Sequence, residues 1–478
     1  MFSVNVLGAK SVSRPKNGPV PDYPVNGCGR GISGPMRRIA LMLAFCGLLA
    51  GGCGEQSHPE ARSPLSPEEY GRLPGLSGSP DPGLRDELAR IVEQGGTPQL
   101  LGKVAIDEQE NAAAGFVGLF ADRKISSILE ESAGICPPRR FDFHALRLQK
   151  AIDFRKKYDS QRLQIRRALQ RPKCSFGIQF ERGVFADSSF IDVVRICGRL
   201  EAFRAAEALA EDDPHAAVES LGAMLRMARC LGAEKHVFTR LEAAFLRTEA
   251  LDVLQAIARD DQLQRKHFER LLAMVRAELA AWPPDADAWI GDRASGLYAY
   301  EMVRDGQLLG LLTAEEMGLF AREGSLDKLA EAARLSVDRD ELYYLKTMQK
   351  IIDSCSRPYY ARKELFDAID NDLQEQRDSS EFPLVAGRLL LPDIRTGHVI
   401  QATDRVNWES WAVALALATG RRRPPYRVNP VTGKKYRCKI EDRVVLVENI
   451  GSGEAGDDPR IHLPALGNQA DETQEQSP

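Results

Sequence analysis

The sequence predicts a mainly α protein: an irregular array of antiparallel helical hairpins over 83–420, closed by a small C-terminal β-hairpin module over 421–466. Three observations carry this reading. Apolar residues recur at spacings of three and four across the middle of the chain, between recognisable caps. The connections between those stretches are short, which makes consecutive helices antiparallel neighbours. Near the C-terminus the periodicity changes to strict alternation, as in a strand.

The first segments concern export rather than fold. From Met36 the chain reads MRRIALMLAFCGLLAGGCGEQ. Arg37 and Arg38 form a positive n-region, and Ile39 to Ala50 an apolar run. That run is short for the ~30 Å of hydrocarbon in a bilayer and suits a signal h-region. The small residues Ala50-Gly51-Gly52 lead directly to Cys53. This stretch resembles the lipobox of bacterial lipoproteins, in which the cysteine thiol receives diacylglycerol and becomes the new N-terminus. Leu49 stands one place earlier than in the ideal pattern. The expectation is a lipoprotein signal peptide over 36–53, lipidation of Cys53, and anchoring on the extracytoplasmic side of a membrane, in the periplasm or at the cell surface. An ordinary signal peptide or an uncleaved anchor is the bland alternative. Acyl chains contribute ~0.8 kcal/mol per buried CH2, and two or more give stable anchoring. Residues 1–35 are rich in Gly, Pro and Ser. The simplest reading starts translation at Met36; the alternative is a disordered cytoplasmic extension.

Residues 54–82 carry many Pro, Gly and Ser and read as a flexible tether. Ser66-Pro67-Glu68-Glu69 adds a capping box for one short helix there. In the helical domain the clearest stretch is Pro214 to Leu231. Asp213 is its N-cap, and Ala217, Leu221, Met224, Leu225, Ala228 and Leu231 share one face before Gly232 as a stop. Arg199 to Ala210, Val237 to Ala258 and Gln264 to Ala281 behave alike, and Trp282-Pro283-Pro284 ends the last of them. A capping box at Thr313 to Glu316 opens another helix, and Glu341 to Ser354 and Arg362 to Gln376 extend the pattern. No consistent repeat signature runs through them. Trp408 to Thr419 reads as the last helix, with Gly420 as its stop.

Beyond Pro424-Pro425, Tyr436, Cys438 and Ile440 alternate with Arg437 and Lys439. Glu441-Asp442-Arg443 turns the chain and Val444 to Val447 returns. An isolated hairpin is marginal in water. The Tyr436, Cys438 and Ile440 face is therefore expected to pack on the helix carrying Trp408, Trp411 and Leu415. Residues 467–478 read as a disordered tail.

A formal net charge of -4 argues against nucleic acid as a partner. Arg421, Arg422 and Arg423 follow a helix end, where basic residues favour the negative pole of the dipole. Cys28, Cys46 and Cys53 lie in or before the export segment. Cys136, Cys174, Cys197, Cys230, Cys355 and Cys438 remain, and an exported chain permits disulfides among them. Cys197 and Cys230, in helical apolar runs, equally suit small buried hydrophobes. Sequence does not choose among the pairings.

Chemical motifs are weak. Gly451-Ser452-Gly453-Glu454-Ala455-Gly456 fits GxGxxG, yet Asp457-Asp458-Pro459 follows where a dinucleotide site needs a helix. Asp285-Ala286-Asp287 with Gly291 lacks the rest of a calcium loop and reads as a plain loop. Ser325 and Lys328 fit SxxK without its companion motifs. Asp367, Asp370, Asp372 and Glu375 suggest a solvated face. The histidines His58, His144, His215, His236, His267, His398 and His462 are dispersed. No catalytic, cofactor or metal residue is nominated.

Leu200 to Leu279, with Ala216 to Leu221 continuing into Leu225 to Arg229, resembles the helical body of lipoproteins and secreted proteins of planctomycete-type bacteria. Their C-termini often read DPFTGKPLRY before a strand. Asn429-Pro430-Val431-Thr432-Gly433-Lys434-Lys435-Tyr436-Arg437 is similar, with Asn for Asp and Val for Phe. This short element also resembles the end of type II secretion pseudopilins, without their long N-terminal helix. The resemblance implies no activity. The expectation is a non-enzymatic binding or scaffold protein of the cell envelope, its partners the membrane through lipid and an unknown protein or envelope component. An envelope hydrolase with scattered catalytic residues is the alternative.

Overall fold

Local capping signals account for some helix starts. Asp81 accepts N–H bonds from Gly83 and Leu84 and so opens α1 (Pro82–Glu93), with Pro in the first turn. Asp213 does the same for α6 (Pro214–Ala233), accepting from the Ala216 N–H at 3.0 Å. The computed structural model describes residues 81–466, apart from 103–105, 138–142, 144–145, 261–262, 313–316, 319–320, 322–325, 378, 380, 422 and 452–458. The tether up to residue 80, the signal peptide with Cys53, the capping boxes at Ser66 and Thr313, and the tail lie outside the described residues, while Asp81 and Pro82, expected in the tether, cap and open α1.

In chain order the remaining helices are α2 (Ile125–Ala133), α3 (Leu148–Lys157), α4 (Asp159–Ala168), α5 (Phe190–Ala210), α7 (Val237–Ala258) and α8 (Arg265–Ala280). They are followed by α9 (Asp285–Arg304), α10 (Leu326–Leu335), α11 (Val337–Ser354), α12 (Lys363–Gln376) and α13 (Ile394–Ala418). Short turns at 211–213 and 234–236 fold α5, α6 and α7 into consecutive hairpins that pack along their lengths. The protein is thus mainly helical, with irregular hairpins as the pattern required.

α7 is the axis. It touches α5, α6, α9 and α13, and most of its residues are buried on every side, as for a helix with no solvent face. α13 is equally enclosed, between α7 and α8 on one side and the sheet on the other. One continuous apolar core runs from Leu84 of α1 to Leu463 near the C-terminus. Among the described residues no helix is long and apolar enough to cross a membrane.

Several boundaries differ from the sequence expectation. α5 begins at Phe190 rather than Arg199, and α13 at Ile394 rather than Trp408. α6 runs through Gly232, which is buried against Arg247. Asp285 and Asp287 are not in a loop but form the first turn of α9, where carboxylates favour the helix dipole.

The C-terminal module is the expected hairpin, extended by one more strand into a three-stranded antiparallel sheet. β1 (Arg437–Glu441), β2 (Val444–Glu448) and β3 (Ile461–Pro464) lie in that order. A two-residue turn with Asp442 and Arg443 both at positive φ sets the register Glu441↔Val444. The module does pack on the helix of Trp408, Trp411 and Leu415, through β2 and β3. Its inward face is Val445, Val447, Ile461 and Leu463, whereas Cys438 and Ile440 of β1 are exposed and only Tyr436 is buried. β3 supplies the second covering strand, leaving β1 as an outer edge.

Candidate functional site

Buried arginine–carboxylate pairs join several of the packed helix pairs. Arg155 of α3 reaches Glu207 of α5 at 2.8 Å, and Arg166 of α4 grips Glu201 of α5 with two bonds of 2.7 and 2.6 Å. Arg199 of α5 pairs with Glu249 of α7 and donates to the Cys136 and Pro137 carbonyls. Arg247 of α7 is fully enclosed. It donates to Glu278 of α8 and Asp404 of α13, each at 3.0 Å, and lies over the Trp282 ring. Burial pushes the Asp404 carboxyl up to about 7, against the opposing pull of Arg247. Each pair satisfies charges that a helix buried on all sides would otherwise strand.

A second polar cluster surrounds the start of α11. Tyr300 donates its hydroxyl to Asp340 at 2.6 Å, and the Val385 and Ala386 N–H groups donate to the same carboxylate at 2.8 and 2.9 Å. Burial raises the Asp340 pKa, and these three donors oppose the rise. Beside it Glu341 is fully buried, paired with Arg304, and pushed up to about 7 by desolvation. A cavity of about 150 Å³ opens here between Asp340, Tyr343, Gln376 and Phe382. Small-molecule sites are usually larger, from about 300 Å³. Tyr343 is already committed, donating to Asp372 at 2.6 Å. The cluster therefore ties α9, α11 and the 383–391 segment together.

His398 occupies the third. Its ring stacks on Trp289 with centroids 4.2 Å apart, and its Nδ1 lies 3.1 Å from Arg362 Nη1. Burial, then the Arg362 charge, hold its pKa well below the ordinary value, so it is neutral and its Nδ1 accepts. Arg362 also reaches Asp285 at 2.8 Å, and Trp289 donates to Gln401 at 3.1 Å. This polar seam joins α9, α13 and the turn before α12.

The sequence candidates disperse across these features. Cys53, Ser325, His58, His144 and most of the GxGxxG stretch lie outside the described residues. His236 is buried beside Phe180 and Phe238, with its pKa pushed down to about 4 by desolvation, while His215 and His462 are exposed. Asp367 and Asp370 are exposed and bridged by Arg395. Among the described residues no group of three His, Cys, Asp or Glu could hold a metal.

Asn429, which sequence reasoning gave no role, has a structural one. Asn429 is wholly buried. Its Oδ1 accepts from the Val431 and Thr432 N–H groups at 2.7 and 3.1 Å, and its Nδ2 donates to the Asn449 and Gly451 carbonyls at 3.0 and 2.9 Å. It closes its own turn and ties that turn to the end of β2. An Asp at this position would have no N–H to give to those two carbonyls.

No family model matches the chain. No curated protein and no solved structure matches it either.

Proposed function

We propose that this protein is an exported lipoprotein, anchored through lipid on Cys53, whose helical array serves as a non-enzymatic binding or scaffold element of the cell envelope. The observation that carries the reading is the succession Arg37-Arg38, the apolar run Ile39 to Ala50, and Ala50-Gly51-Gly52-Cys53. The Pro-, Gly- and Ser-rich stretch after Cys53 supplies the spacer such an anchor needs. The buried arginine pairs support the scaffold part: each fixes the angle between two helices by directional bonds, which favours a stiff display surface. Membership of the planctomycete-type lipoprotein family remains part of this proposal. The partners are the membrane and an envelope protein or component, with no nucleic acid.

The deciding experiment is metabolic labelling with a fatty-acid analogue in cells expressing the wild type or Cys53→Ser. The wild type should label and sediment with membranes, and the variant should do neither. Equal labelling of the two would overturn the anchor, and a labelled, anchored wild type would then be carried into affinity capture from envelope extracts.

A further inference from the structure

The segment after α4 carries Cys174 across the end of α6. Lys173 donates its N–H to Glu110 O at 3.2 Å and accepts from the Ala112 N–H at 2.8 Å. Asn111 clamps Ser175 on both sides, Oδ1 accepting from the Ser175 N–H at 2.9 Å and Nδ2 donating to its carbonyl at 2.8 Å. The Phe176 N–H then donates to Glu234 at 2.6 Å, and the Phe176 ring stacks on Phe190 with centroids 4.2 Å apart. Cys230 is buried on α6, one helical turn before Glu234. Two residues of chain reach at most about 7 Å, and one turn of helix rises about 5.4 Å. With Phe176 fastened to Glu234, those lengths leave Cys174 within reach of the helical turn that carries Cys230. The two thiols interact electrostatically as close neighbours, and both are free.

We propose that Cys174 and Cys230 form a disulfide that staples the 173–177 strap to the end of α6. Half-buried Cys174 is the more accessible and attacks first. Its thiolate displaces one sulfur of an external disulfide oxidant such as glutathione disulfide, giving a mixed disulfide and one glutathione. The Cys230 thiolate then displaces the second glutathione. Two S–H bonds break and one intramolecular S–S bond forms. Two protons leave to solvent, and the electron pair ends on the two glutathione thiolates. The neighbouring Cys230 thiol, and then burial, raise the Cys174 pKa, so thiolate is scarce at neutral pH and the exchange accelerates as pH rises. In the cell the bond needs an oxidising compartment, and so rests on the export proposed above; the test below is run in buffer and does not.

The reduced full-length protein is equilibrated with glutathione disulfide at pH 8, alkylated, digested and analysed by peptide mass. The expected result is one linked peptide pair containing Cys174 and Cys230, two hydrogens lighter than the sum, with loss of two alkylatable thiols. The oxidised form should melt at a higher temperature than the reduced form. Cys174→Ser and Cys230→Ser should each abolish the link and the reductant-sensitive part of the melt. Full alkylation of both cysteines after oxidation, or a link from either to another cysteine, would overturn the pairing.

Discussion

Replacing Asn429 by Asp keeps the shape of the side chain and exchanges one NH2 for an oxygen. Both carbonyls that Nδ2 serves, Asn449 O and Gly451 O, lose their donor, and an ionised carboxylate would face them. Each buried acceptor stripped of its partner costs about 1–3 kcal/mol, so the loss at pH 8 should be about 2–6 kcal/mol. The same environment raises the folded-state pKa of the new carboxyl above the ordinary value of about 3.9. In the folded state it keeps its proton to higher pH than in the unfolded chain. The deficit is therefore complete above the raised pKa and shrinks as pH falls below it. At pH 5 the new side chain, once protonated, donates one bond back, which should restore roughly half of the loss. Urea unfolding of wild type and Asn429→Asp at both pH values, followed by Trp fluorescence and far-UV circular dichroism, measures this. Asn429→Ala is the control, with a comparable cost and no added pH dependence. A deficit equal at the two pH values, or below about 0.5 kcal/mol at pH 8, would refute the assignment of Nδ2 as donor.

Arg247→Met should cost about 3–5 kcal/mol, because Asp404 and Glu278 stay buried after their shared partner is gone. Asp404, already pushed up to about 7, would then titrate higher still, so the loss should grow as pH rises, and adding Asp404→Asn should recover part of it in chemical unfolding at pH 8. Val447→Ser should destabilise by about 1–3 kcal/mol, whereas Ile440→Ser on the exposed edge strand should stay within about 0.5 kcal/mol in thermal melts. Gly291→Ala places a Cβ inside the van der Waals shell of the Lys235 carbonyl oxygen, so α9 must move off the α6–α7 turn at a cost of about 1–3 kcal/mol or more, read as a lower urea midpoint.

Sequence periodicity located the helices whose signals are local. α7 runs over Val237–Ala258 and α8 over Arg265–Ala280, close to the stretches that apolar spacing and the Trp282-Pro283-Pro284 stop define. Asp213 was legible as a cap because an N-cap bond spans three residues. The proposed lipobox at Cys53 is likewise a linear pattern that needs no fold to be read. The start of α13 was not legible. Gly397, His398, Gln401 and Asp404 interrupt its apolar spacing. The three polar ones are inside because a partner comes from elsewhere: Arg362 for His398, Trp289 for Gln401, Arg247 for Asp404. Asp285 and Asp287 looked like loop residues for the same reason, until Arg362 and a helix N-terminus gave Asp285 its place. β3 is four residues long and its pattern is shared with any short apolar run; only pairing with β2 makes it a strand, and only that pairing decides that β1 faces outward. The cysteines divide the same way. Their number was plain, but the meeting of Cys174 with Cys230 depends on Asn111 and Glu234 holding one strap in place. The sequence by itself thus determined what neighbours within a turn of helix or along one strand can settle. The tertiary structure decided which polar residues are buried and which face of a strand is covered, because both depend on atoms contributed by chain far away in sequence.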